Sequence, residues 1–139
     1  MIPELQIALI QSELHWEKVD ANLAMFEEKI WTIKDPVDLI VLPEMFTTGF
    51  SMEPQQLAEV HKTRTFKWMQ QQAAQTKAVI MGSIIAKEGP NYYNRLYAVH
   101  PDGSFQHYDK KHLFGLAGED KDYSAGSQRV IVDVKGWKI

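Results

Sequence analysis

Cysteine is absent from all 139 residues. Its absence excludes disulfides and zinc–thiolate centres, and it removes the thiol as a nucleophile. A basic excess is also missing: 15 Lys and Arg face 18 Asp and Glu, for a net charge of −3. No basic footprint points to nucleic acid. Charges of both signs are interspersed, so there is no acidic or basic tail. Long apolar runs are missing too, and stretches such as Ala78 to Met81 are far too short to cross a bilayer. The opening Met1-Ile2-Pro3-Glu4 has no positive region leading into an apolar segment, as a secretory leader would. The glycines follow neither nucleotide fingerprint, so no phosphate loop is expected. These absences predict a soluble, cytoplasmic protein without nucleic-acid or membrane partners.

Apolar material is ample. Hydrophobic residues make up 45% of the chain, enough for a sizeable core in one domain. Leu5 to Ile10 alternates as a first strand. From Glu17 to Lys34, Val19, Leu23, Phe26, Ile30 and Ile33 recur at steps of four and three, which predicts a helix with one apolar stripe. Asp35-Pro36 ends it, because a residue before proline avoids the α region. Leu39 to Leu42 reads as a strand buried on both faces, and Pro43 should stop its ladder. Strand, helix and strand form a βαβ unit with parallel strands.

Met45 to Pro54 reads as a loop. A second helix is predicted over Thr65 to Thr76, with Phe66, Met69 and Ala73 inward and Gln70 to Gln72 mostly outward. Val79 to Ile85 is another buried strand, whose Gly82 permits a close approach. Tyr93 to His100 and Ser104 to Tyr108 follow as strands around a Pro101-Asp102-Gly103 turn. They add an antiparallel meander, so the sheet is mixed. Asp109 to Gln128 is a polar connection without clear periodicity, and such stretches are usually functional or disordered. Arg129 to Val134 alternates as a strand, Lys135-Gly136 turns, and Trp137 to Ile139 begins another.

Three features could carry chemistry. Glu44 follows the buried strand, at the carboxyl end where open α/β sheets place their ligand crevice. Tyr108-Asp109-Lys110-Lys111-His112 stands at another strand end. Glu119 lies in the polar connection. A carboxylate can serve as a base, and a lysine can stabilise an oxyanion. The plainer alternatives are a solvated loop glutamate, a solvated lysine pair, and a solvent-facing Glu119 beside Asp120. His112 reads as a loop or packing residue, since no second ligand stands at a metal-binding spacing. Spacing alone supports an α/β domain with a possible carboxylate–lysine site.

The order and wording of the motifs say more. Gln11, Asn22-Leu23, Asp38-Leu-Ile-Val-Leu-Pro-Glu44 and Met45-Phe-Thr-Thr-Gly-Phe50 appear in sequence. Gly82-Ser83, Asn94-Arg95, Tyr108-Asp-Lys110-Lys-His-Leu-Phe114 and Tyr123-Ser-Ala-Gly126 follow. Together they resemble the N-terminal half of a nitrilase-superfamily carbon–nitrogen hydrolase, with the Met45 to Phe50 loop similar to the bacterial omega-amidase branch. The resemblance implies an α/β fold, an α-β-β-α sandwich with a mixed sheet, present here in its N-terminal part. It implies a Glu–Lys–Cys triad, with Glu44 as general base and Lys110 as the oxyanion-stabilising lysine. Glu119 resembles a second glutamate that holds the lysine and helps orient substrate. The implied substrates are omega-amides of 2-oxo acids such as 2-oxoglutaramate, with no metal or other cofactor, and the whole protein is expected to be a homodimer.

The triad's cysteine is the departure from that pattern. In the family it lies on a strand end a little beyond Trp137 to Ile139. Residues 1–139 are therefore expected to be the N-terminal portion of one hydrolase domain, inactive alone, with an apolar sheet face left uncovered. Two other readings stay open. One is a non-catalytic binding or assembly module on the same scaffold, and the other is a different branch of the superfamily.

Overall fold

The computed structural model describes residue 1 and residues 3–139. The first strand, β1 (Ile7–Leu9), and the second, β2 (Leu39–Val41), pair in parallel around helix α1 (Val19–Trp31). The apolar stripe of α1 buries Leu23, Phe26 and Ile30. Fully burying a side chain such as Phe26 stabilises the fold by about 1.5–3 kcal/mol. The helix is shorter at both ends than its apolar period suggests. Glu17 takes a left-handed φ of 55° and donates its N–H to Thr48 O at 2.7 Å, so it belongs to a loop contact. At the other end, Thr32 and Ile33 donate to carbonyls three residues back, and that tightening closes the helix. Leu42 N–H still reaches Met81 O at 2.8 Å, and the ladder of β2 then stops at Pro43 as expected.

A short helix α2 (Pro54–Leu57) and a two-residue strand β3 (Glu59–Val60) precede helix α3 (Arg64–Thr76). The Glu59 carboxylate accepts the Thr65 N–H at 2.8 Å, which satisfies one of the free donors at the start of α3. Phe66, Met69 and Ala73 are buried on α3 as predicted. Gln72 is a correction, being only 2% exposed. Its backbone carbonyl also accepts the Thr76 hydroxyl, one turn on, at 2.7 Å.

The long strands β4 (Val79–Glu88), β5 (Asn91–Val99) and β6 (Phe105–Asp109) complete a sheet of order β1-β2-β4-β5-β6. β1, β2 and β4 are parallel, while β4, β5 and β6 run antiparallel. β3 pairs in parallel with the far end of β4, through Glu59 opposite Ala86. The sheet is mixed, as expected.

One face of this sheet carries Ile40, Leu42, Ile80, Ile84, Tyr97 and Val99 against α1 and α3. The other carries Leu39, Val79, Met81 and Ala98, which Val132 and Val134 cover in part. Those two valines belong to a hairpin of β7 (Asp133–Val134) and β8 (Trp137–Lys138). Lys135 and Gly136 both have positive φ, 56° and 88°, the geometry a two-residue hairpin turn needs. The strand predicted from Arg129 is shorter in the structure. Among the described residues, pairing with β8 reaches back to Val132, bonded to Ile139. On the same face, Ile7 and Leu9 of β1 are 47% and 76% exposed. Among the described residues no helix is long and apolar enough to cross a membrane.

Candidate active site

Glu44 stands just beyond β2, and the turn behind it is fixed to β4. Met45 takes a left-handed φ of 48°, uncommon for a residue with a side chain. Its N–H donates to the buried Ser83 Oγ at 2.8 Å, and Phe46 N–H donates to Ser83 O at 3.2 Å. Gly82 makes room for this turn, since a Cβ there would lie 2.8 Å from the Phe46 ring. Asn22 of α1 holds the other side of the loop. It donates to the carbonyls of His15 at 2.7 Å and Thr47 at 2.8 Å, and accepts the His15 N–H at 2.8 Å.

Lys110 follows β6 directly. Its N–H continues the ladder to Asn94 O at 2.9 Å, and its carbonyl accepts the Gly126 N–H at 3.0 Å. Gly126 has no room for a side chain, because a Cβ there would lie 2.0 Å from Asp109 O. Glu119 opens a four-residue helix, α4 (Glu119–Asp122), after a 3-10 turn at Gly115–Ala117. The polar connection thus contains two short helical turns that no periodicity announced.

These elements bring all three candidate residues together. Lys110 Nζ lies 2.8 Å from Glu44 Oε1 and 3.0 Å from Glu119 Oε1. Burial works against the ammonium charge, but the two carboxylates more than offset it and hold the Lys110 pKa above its ordinary value. Nζ also lies 5.1 Å from the centre of the Phe50 ring. Lys111 is exposed, as the solvated-lysine alternative had it for that residue, and His112 is an exposed loop residue rather than a packing one.

The two glutamates are held differently. Glu119 is 0% exposed. Its Oε1 accepts from the Phe114 N–H at 2.7 Å and from Lys110, and its Oε2 accepts from Asn94 Nδ2 at 3.2 Å. Full burial among three donors holds this side chain in place and overturns the solvent-facing alternative for it. Glu44 Oε1 accepts from Lys110 and from Asn94 Nδ2 at 2.7 Å. Its Oε2 has no partner among the described residues, and the side chain is 50% exposed. One oxygen is anchored and the other is open, an arrangement suited to proton transfer. Sequence reasoning gave no role to Asn94 or to the Phe114 N–H. Asn94 carried a signal: an amide is disfavoured inside a strand unless something there uses it.

A depression of about 260 Å³ adjoins these groups, floored by Val41, Met81 and Leu96 on the partly open sheet face. A larger cavity, about 990 Å³, lies between the C-terminal ends of α1 and α3. It brings no lysine between two carboxylates, so the chemistry assigns the site to the smaller depression. Among the described residues no group of three or more His, Cys, Asp or Glu could hold a metal ion.

Known proteins share this architecture. Residues 6–139 match the family described as carbon–nitrogen hydrolase. The chain is 41% identical over 138 residues to the omega-amidase YafV of Escherichia coli, covering 99% of this chain and 53% of that protein. It is 27% identical to the 2-oxoglutaramate amidase of Bacillus subtilis, covering 95% of this chain and 52% of that protein. The solved structure of XC1258 from Xanthomonas campestris, a CN-hydrolase superfamily protein with an arsenic adduct in its active site, superposes with a TM-score of 0.93. That match has 37% identity and covers 96% of this chain and 51% of the other. The chain spans about half the length of the curated relatives it matches. Sequence match and superposition agree along nearly its whole length, and the chain belongs to the carbon–nitrogen hydrolase family of the nitrilase superfamily.

Proposed function

We propose that residues 1–139 supply the base, the lysine and the anchoring glutamate of an omega-amidase. In this proposal the thiol comes from a segment beyond these residues, and the 139-residue chain alone turns nothing over. The observation that carries it is Lys110 held between Glu44 and Glu119, with one Glu44 oxygen open to the depression. Likeness to an omega-amidase and to a 2-oxoglutaramate amidase supports 2-oxo-acid omega-amides as the substrate class.

The chemistry follows from the charges. Glu44 takes the proton of the thiol, whose sulfur attacks the amide carbon. Negative charge moves to the amide oxygen, where the fixed Lys110 ammonium stabilises it. The tetrahedral adduct collapses as Glu44 returns the proton to the leaving nitrogen, releasing ammonia and leaving a thioester. Glu44 next takes a proton from water, whose oxygen attacks the thioester. Collapse releases the acid, and the proton returns to sulfur. Glu119, with both oxygens bonded, keeps Lys110 in place.

The test is ammonia release from 2-oxoglutaramate by a protein extended to the length of its relatives. Glu44→Gln and Lys110→Ala should each lower turnover by at least about 10²-fold. Retained activity in either variant removes its assigned role. We further propose that the whole protein is a cytoplasmic homodimer; sedimentation of the extended form checks the dimer, and cell fractionation checks the location. The absent thiol specifically favours a second reading, a non-catalytic module. If the coding sequence just past Ile139 encodes no cysteine within its next short strand, that second reading takes over.

A further inference from the structure

We propose that Asn94 is a positioning residue for Glu44, and that its amide confines the transferable proton to Glu44 Oε2; this rests on the base role proposed above. Asn94 is 2% exposed in the middle of β5. It touches all three charged residues. Its backbone carbonyl accepts the Lys110 N–H at 2.9 Å. Its side-chain nitrogen lies 2.7 Å from Glu44 Oε1 and 3.2 Å from Glu119 Oε2.

The amide's orientation follows from its partners. Turned over, it would set an oxygen acceptor against two carboxylate oxygens, and neither could donate. As placed, each of its two hydrogens serves one carboxylate. Glu44 Oε1 therefore faces two donors, Asn94 and Lys110. A proton on Oε1 would displace one of them. A proton on Oε2 displaces nothing, and Oε2 is the oxygen without a protein partner among the described residues. The amide thus separates the two oxygens of Glu44 by task, one for anchoring and one for exchange. Without it, Glu44 would pivot about its lysine contact, and the buried Glu119 Oε2 would lose its donor.

A purely structural role, in which Asn94 only satisfies Glu119, makes a different prediction. The decisive measurement is the proton–nitrogen NMR spectrum of the Asn94 side-chain amide in the protein extended to the length of its relatives, recorded with and without Glu44→Gln. Glu44→Gln should move the signal of the proton directed at Glu44 and leave in place that of the proton directed at Glu119. Two signals unmoved by Glu44→Gln, or both moved alike, overturn the proposal. This readout needs no turnover, so it stands apart from the amidase assignment.

The kinetic arm uses the extended protein, if it proves active. Asn94→Ala should lower kcat by about 10- to 100-fold, from loss of a hydrogen bond to a charged group, with little change in KM. It should also shift the pH–rate profile. Unchanged kcat and pH profile in a folded variant would sink the inference while leaving the amidase reading intact.

Discussion

Arg95 and Asp109 face each other directly across β5 and β6 and share two hydrogen bonds, Nε to Oδ1 at 2.6 Å and Nη2 to Oδ2 at 2.9 Å. Asp109 is the residue before Lys110, so this pair fixes the strand end from which the lysine projects. Burial opposes the Arg95 charge, yet Asp109 and Glu88 hold its pKa above the ordinary value. Asp109→Ala should leave a buried guanidinium short of a partner and destabilise the chain by about 3 kcal/mol. Urea unfolding checks this, and a loss below about 1 kcal/mol would show that Glu88 alone suffices.

His61 gives the fold a pH dependence. Burial, then the neighbouring Arg95 and His107, hold its pKa below the ordinary 6.5, while Glu88 acts the other way and Lys62 adds to the lowering. Its Nδ1 accepts a hydrogen bond from Arg95 Nη1 at 2.9 Å and lies 2.6 Å from the Tyr97 hydroxyl, which suits a neutral ring. The folded state prefers neutral His61, so this stabilisation is full above pH 6.5 and declines as pH falls below it toward the lowered value. The slope should be no steeper than about 1.4 kcal/mol per pH unit. Unfolding free energies between about pH 7.5 and 5.5 test it. An equal slope in His61→Gln would assign the effect elsewhere.

Tyr123 links the two halves of the site. Its hydroxyl donates to Ser51 O at 2.6 Å, and its N–H bonds Glu119 O at 2.9 Å. Burial first, then the charges of Glu119, Asp122 and Glu53, push the hydroxyl pKa up, so it stays a donor at neutral pH. Tyr123→Phe should cost about 1–3 kcal/mol, because the buried Ser51 carbonyl loses its donor. Thermal unfolding measures the loss, and amide exchange should quicken in residues 45–52. An unaltered midpoint would mean that packing, not the hydroxyl, joins these segments.

The sheet face bearing Ile7 and Leu9 makes its own prediction. Leu9 is 76% exposed and lies on the face where Val41 and Leu96 floor the depression. The 139-residue chain should bind a hydrophobic dye and self-associate, and Ile7→Lys with Leu9→Lys should reduce both. A monomeric chain without dye fluorescence would contradict this.

How far the sequence revealed these features depended on how local their causes are. The β1-α1-β2 unit was legible because its apolar period needs no distant partner. α2 and β3 were not, since four and two residues are too short for any period, although Pro54 at a first helical turn is a usable start signal. Alternation over Arg129 to Val134 marks the apolar positions, while among the described residues the strand itself spans Asp133–Val134. Spacing alone left Glu119 a surface acid, and only the family resemblance gave it a role, because its donors Phe114, Lys110 and Asn94 lie up to 25 positions away. Lys110 and Lys111 are chemically alike, so spacing could not choose between them; the resemblance pointed to Lys110, and the end of β6 places it beside Glu44.

β2 and β3 share one edge of β4, the first pairing with residues 79–81 and the second with 86–87. The stretch between them would be an open gap in the sheet. The turn after Glu44 fills it, with Phe46 donating to Ser83 O as a strand residue would. A loop that occupies a strand's place inherits a strand's immobility. Motion in any catalytic cycle should therefore fall to the segments arriving at the depression, while Glu44 keeps time with the sheet.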